Sequence, residues 1–350
     1  MSQPPLMPPG MPIGYATPAQ LDPTGRRAWL NVAGVLLIVA GALAGCMSLI
    51  TIFTVVAMAS GTIQVPGNQT PASSIAMALP IYIGATAALI TLGIGSIRGR
   101  RWVRPIVVTL GILAVLCGLA ATVGMAASMS MLSQPGFLPA TGPSGTPMTP
   151  PPMMPVVIIA ALSSLFFTVF LPGLAVWLYT SEPTRVYLDQ RDPRRIWTDA
   201  CPLPVFFGAG TLVLFGAQIA LAGLNGVALL FGVVLQGIAA FGALAVQGLL
   251  MCVAGVLFYR LKLAGWTMAL VLFVLMFASW IVSAASGRMA DVLDAASPGL
   301  TTTQRTIVTH SALMSVPLQI GMSVIGLLAA IGYLVWVKRF FAPKPAVTQP

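Results

Sequence analysis

Apolar residues in this chain do not alternate with polar ones at the spacing of a strand or of a water-facing helix. They run on without interruption and then stop at short polar turns. A helix needs about 20 mostly apolar residues to cross a hydrocarbon layer of ~30 Å. Eight segments meet that length: 29–57, 75–97, 103–130, 155–180, 203–224, 237–259, 263–285 and 311–337. The pattern predicts an all-α integral membrane protein with eight transmembrane helices, several long enough to tilt. One stretch does not fit a simple span. From 226 to 259 the chain is apolar for 34 residues, which as one helix would reach ~50 Å. Two readings stand: "GVALLFGVVLQ" (226–236) is a short external or re-entrant segment before the true span, or the whole is one overlong, tilted helix. A re-entrant piece needs protein around it to shelter its backbone from lipid.

The polar turns orient the threading. Eight crossings put both termini on one side, and on that side fall Arg26, Arg27, Arg98, Arg100, Arg101, Arg104, Arg185, Arg191, Arg194, Arg195, Arg260, Lys262, Lys338, Arg339 and Lys344. Only Arg288 and Arg305, of 17 basic residues, fall opposite. Basic turns stay on the cytoplasmic face, so both termini are expected in the cytoplasm and the protein in a plasma membrane, a bacterial inner membrane by its style. The Pro-rich residues 1–24 read as a disordered tail and 342–350 as a second, short one. The opening lacks the basic-then-apolar order of a cleaved signal peptide, so insertion is expected to rely on the first helix.

A phrase is written twice. "RRAW" (26–29) and "RRIW" (194–197) each follow an Asp-Pro pair and each lead into an apolar run. Six tryptophans, Trp29, Trp102, Trp177, Trp197, Trp266 and Trp336, fall at cytoplasmic ends, where amphipathic rings suit the headgroup zone. They mark helices one, three and four of each set of four, at intervals of 73 and 75 residues and then 69 and 70. "AVWLY" around Trp177 matches "LVWVK" around Trp336, and "RGRRW" has a counterpart in "YRLKLAGW". The expected organisation is two four-helix membrane units, 25–180 and 203–341, joined by a cytoplasmic linker at 181–202. Four crossings per unit make the repeats parallel, unlike the inverted repeats of many transporters.

Composition agrees. Charged residues are 7% of the chain and apolar ones 57%, against about 25% charged in soluble domains. The net charge of +10 follows from orientation and from having only seven acids. It has none of the Lys/Arg-rich, aromatic-interleaved pattern of a nucleic-acid reader, so no nucleic-acid partner is expected. Cys46, Cys117, Cys201 and Cys252 are not paired at any disulfide or metal spacing and read as small core residues.

Candidate chemistry is sparse. The span interiors carry no Asp, Glu, Lys or Arg, which argues against an ion-coupled pump and against acid–base or nucleophilic catalysis. No enzyme activity, cofactor or metal is expected. His310, the only histidine, has no cluster of companion ligands and reads as interfacial. The Met-rich loop 131–155 lacks the His or Cys that a Cu(I) site pairs with Met and reads as a proline-rich loop. "NQT" (68–70) fits a glycosylation acceptor, which matters only in a eukaryotic secretory pathway. The polar residues left inside are amides, Gln218, Gln247 and Gln319, with Asn225 and Gln236 near the outer boundary. They either hold helices together or line a path for an uncharged solute. Close glycine spacings such as Gly41/Gly45 and Gly208–Gly210–Gly216 favour tight packing, within the chain or in a dimer. Segment 181–202 mixes four acids with four arginines and reads either as a hydrated linker or as a docking or anionic-lipid loop. The functional expectation is a structural or accessory protein acting through membrane partners or self-association. The alternative is a permease or channel for a small uncharged solute, with Gln218, Gln247 and Gln319 facing the path.

Overall fold

The computed structural model describes residues 25–60, 78–132, 161–193, 197–288 and 316–341, with a few isolated positions besides. The helices are α1 (Arg26–Ala59), α2 (Ala78–Ile97), α3 (Val103–Leu132), α4 (Ala161–Thr180), α5 (Glu182–Arg191), α6 (Leu203–Ala222), α7 (Gly237–Tyr259), α8 (Leu263–Ala285) and α9 (Val316–Val337). All but α5 are long and apolar enough to cross a membrane. Their outer faces are apolar as well: Phe53 is 71% exposed, Phe167 65%, Leu249 64% and Leu328 64%. A belt of that kind suits lipid, because soluble monomers rarely show apolar patches beyond a few hundred Å².

Lipid offers helices no hydrophobic reason to associate, so close backbone approach must supply the contact. The chain does this twice. In the α1·α2 hairpin a Cβ added at Gly34 would come within 2.8 Å of the Gly93 carbonyl, and one at Gly93 within 2.6 Å of the Gly34 carbonyl. In the α6·α7 hairpin the same reciprocal fit joins Gly216 and Gly248, at 2.6 and 2.3 Å. Small residues recur every seven positions along these seams: Gly34 and Gly41 on α1, Ala209, Gly216 and Gly223 on α6, Gly248 and Gly255 on α7. A seven-residue period keeps a seam facing its partner in left-handed packing. The remaining neighbours are α3 on α4, α7 on α8 and α8 on α9, with α3 on α6 joining the two halves.

Of the two readings of the 34-residue apolar stretch, the structure shows the short segment before the true span, which starts at Gly237, and not one overlong helix. Residues Val227–Leu230 (β1) and Val233–Gln236 (β2) form an antiparallel hairpin, with Leu230 opposite Val233, a short strand pair among otherwise helical described elements. Its two-residue turn, Phe231-Gly232, has positive φ at both positions, 49° and 76°, as a primed turn requires. Glycine takes that conformation freely; phenylalanine does not. The turn is held from outside: Phe231 N–H donates to Ser279 Oγ (3.0 Å) and Gly232 N–H to Ser283 Oγ (3.1 Å). Those serines lie one turn apart on α8, at the end away from the basic turns. The hairpin therefore leans on the helix rim.

Within α4 residues Phe166–Phe170 form a single π turn ahead of Pro172. Proline cannot supply the N–H that an α turn would use, and a π turn is one way to absorb the defect. The segment read as a hydrated linker is also different. Its first half is α5, whose Thr184, Tyr187 and Leu188 are buried. They share one face at positions i, i+3 and i+4 and pack with Leu30, Leu92 and Val103, so 182–191 caps the first unit rather than hanging free.

Candidate functional site

Every described basic residue except Arg288 lies at one end of the helices, and contacts tie those ends together. Tyr259 Oη at the end of α7 donates to the Trp197 carbonyl (2.6 Å). Phe258 meets Phe341 with ring centroids 4.8 Å apart. Trp266 Nε1 at the start of α8 donates to the Leu334 carbonyl near the end of α9 (2.8 Å). Arg104 Nε at the start of α3 donates likewise to the Tyr179 carbonyl near the end of α4 (3.0 Å). In both halves a donor at the start of the third helix thus reaches a carbonyl in the last turn of the fourth.

The tryptophans divide. Trp29, Trp177, Trp197 and Trp336 are exposed, as anchors should be. Trp102 and Trp266 are half-buried and pack against the two cores. Arg194, Arg195, Arg305, His310 and Lys344 lie outside the described residues, as do the NQT sequence and most of the Met-rich loop.

The described amides sit in different settings. Gly216 faces α7, and Gln218, two residues on, is turned about 200° around the helix and is exposed. Gln247 is half-buried on α7, and the side chain of Gln319 is outside the described set. Polar contact between helices comes instead from hydroxyls. Ser96 Oγ donates to the Leu30 carbonyl (2.9 Å). With its one hydrogen so used, it accepts from Tyr179 Oη, joining α1, α2 and α4. Tyr333 Oη on α9 donates to the Pro204 carbonyl at the start of α6 (2.5 Å). Other hydroxyls, among them Ser48, Thr51, Thr86 and Thr211, bond back to the carbonyl four residues earlier.

The open space with chemical character is at the basic end. A cleft of about 320 Å³ lies where α3, α5, the 197–200 turn and the start of α6 meet, and Arg101, Arg104, Arg185, Thr198, Asp199 and Leu203 are among the residues lining it. Arg101 Nε sits 2.9 Å from Asp189 Oδ1 and 3.3 Å from Asp199 Oδ1, and Arg185 Nε 3.8 Å from Asp189 Oδ2. The Thr198 hydroxyl is buried without a hydrogen-bond partner. Beside it the buried Cys201 thiol is pushed up to about 12 by desolvation, so it stays protonated and unreactive at neutral pH. A shallower opening of about 530 Å³ follows between the α2–α3 turn and the end of α5, with Arg100 paired to Asp192 at 3.7 Å. The arginines were visible in the sequence as turn residues. Their convergence was not, because it depends on α5 folding back across the base.

No known protein family matches the sequence, and no characterised protein or solved structure is significantly similar to the chain.

Proposed function

We propose that the chain is a multi-pass protein of the plasma membrane, a bacterial inner membrane, with both termini in the cytoplasm, built from two parallel four-helix repeats. It works as a structural or accessory component, without catalysis of its own, through partners in the membrane. The observation that carries this reading is where the polar groups of the spans go. The hydroxyls of Ser96, Tyr179 and Tyr333 tie helices to one another, and Ser279 and Ser283 hold the hairpin. Groups engaged in assembly are not at hand for substrate.

The repeat reading is supported by paired features: a reciprocal glycine contact between helices one and two of each half, and a third-helix donor on a fourth-helix carbonyl. The permease alternative would place Gln218, Gln247 and Gln319 around one path; Gln218 is exposed on α6 and Gln247 half-buried on α7. Two experiments test the proposal. Cross-linking in membranes followed by mild-detergent purification should recover a reproducible partner or a self-complex; a lone monomer would overturn the accessory role. Single cysteines placed at Arg100 and Arg288 should label from opposite faces, and labelling from one face would end the topology.

A further inference from the structure

We propose that the cleft between α3 and α6 holds a phosphate, the phosphodiester of an anionic phospholipid headgroup. Three observations converge on it. Donors are available: Arg104 has five N–H groups and uses Nε on Tyr179, while Arg185 meets only the edge of Asp189 and is 63% exposed along its side chain. Thr198, 4% exposed, is among the residues lining the same cleft, with its hydroxyl buried behind the wall. Among the described residues positive charge exceeds negative, with Arg101, Arg104 and Arg185 beside Asp189 and Asp199, so an anion is favoured. The first turns of two long helices, α3 and α6, open into the same space, and their positive ends favour an anion. Pro105 and Pro204 there have no N–H to give, so the helix ends contribute field and the side chains contribute the bonds.

Position selects a lipid as the carrier of that phosphate. Pro105 and Leu203 line the cleft where α3 and α6 begin their apolar runs, so a headgroup there has its glycerol and acyl chains beside hydrocarbon. Basic pockets between helices on the cytoplasmic side are suited to anionic headgroups. This cleft also lies on the seam between the halves: Ile106, one residue beyond Pro105, packs against both cores. A bound headgroup would clamp the two units together.

The test uses the full-length protein in detergent micelles, with phosphatidylglycerol, phosphatidylcholine or inorganic phosphate added. Retained lipid is read by native mass spectrometry and stability by thermal unfolding. Phosphatidylglycerol should be retained and raise the melting temperature, and phosphatidylcholine should not. R104Q and R185Q should each weaken retention by about fivefold, while R260Q, on a basic residue outside the cleft, leaves it unchanged. Inorganic phosphate reproducing the Arg104- and Arg185-dependent shift would keep the phosphate and replace the lipid as its source. Equal retention by R104Q and R185Q, or an equal loss in R260Q, would overturn the proposal. Should R104Q fail to fold for want of its bond to Tyr179, R185Q, which keeps that bond, decides the matter.

Discussion

The two halves close their basic ends with different chemistry. Below α1–α4 the closure is ionic: Arg101 between Asp189 and Asp199, Arg185 on Asp189, Arg100 on Asp192, gathered by α5, its C-cap and the 197–200 turn. Below α6–α9 it is aromatic. Lys338 Nζ stands 5.0 Å over the Trp266 ring, Arg339 lies 4.9 Å from both Trp336 and Phe340, and Phe258 packs on Phe341. The pairing of first with second helix and of third with fourth recurs in both halves, while the closures differ. Packing within lipid leaves few solutions, chiefly small residues at seams. The interfacial base, wet on one side, accepts either ion pairs or rings over cations.

The largest expected effect probes what the halves share. G248L puts a side chain where a single Cβ already meets the Gly216 carbonyl at 2.3 Å, and should destabilise by about 3 kcal/mol or more. G93L should do the same in the first seam, whereas G242L, with nothing within 4 Å of its Cβ position, should unfold near the wild-type temperature. Thermal unfolding in detergent checks all three, and tolerance of G93L alone would break the equivalence of the seams.

The next pair probes what the halves do not share. R101Q removes two partly exposed ion pairs and should cost about 1 kcal/mol, a loss that shrinks as salt is raised. W266F removes the bond to Leu334 and should cost about 1 kcal/mol, independent of salt. Unfolding temperatures at low and high salt distinguish them; equal salt dependence would mean the two bases are held alike.

S283A withdraws an acceptor from the strained turn of the β-hairpin, a device described only in the second half. A loss of about 1 kcal/mol, with faster amide exchange at Gly232, is expected; unchanged exchange would show that the turn holds itself. The smallest effect should be a gain. Thr109 Oγ1 is buried without a partner where α3 faces Gly210 of α6. T109V keeps its shape, so unfolding in detergent should show a stabilisation of at most about 1 kcal/mol.

The eight long helices were legible because length and apolarity are properties of a single segment. Their observed ends depart from the sequence expectation by only a few residues, with α1 starting at Arg26 and α9 at Val316. What escaped depends on other parts of the chain. The hairpin carried a faint local sign, Gly226 and Gly237 bracketing valine-rich flanks. Yet Phe-Gly is not a turn pair that strand patterns announce, and Ser279 and Ser283 of α8 stabilise it. The helical face of Thr184, Tyr187 and Leu188 was readable in principle, but arginines and acids around it gave the segment the look of solvated linker. The cleft was the least legible, since Arg104, Arg185 and Thr198 are separated by 81 and then 13 positions and meet only through that docked helix.

The pairing of Arg101 with Asp199 sets an order of manufacture. Asp199 leaves the ribosome after all of α1–α5 and only four residues ahead of Leu203, where α6 begins. Units of a long chain generally fold as they are synthesised, at about 5–20 residues per second. On that order Asp199 becomes available to Arg101 before the bulk of α6 has been made. α6 is then laid against α3, and α7, α8 and α9 follow one upon another.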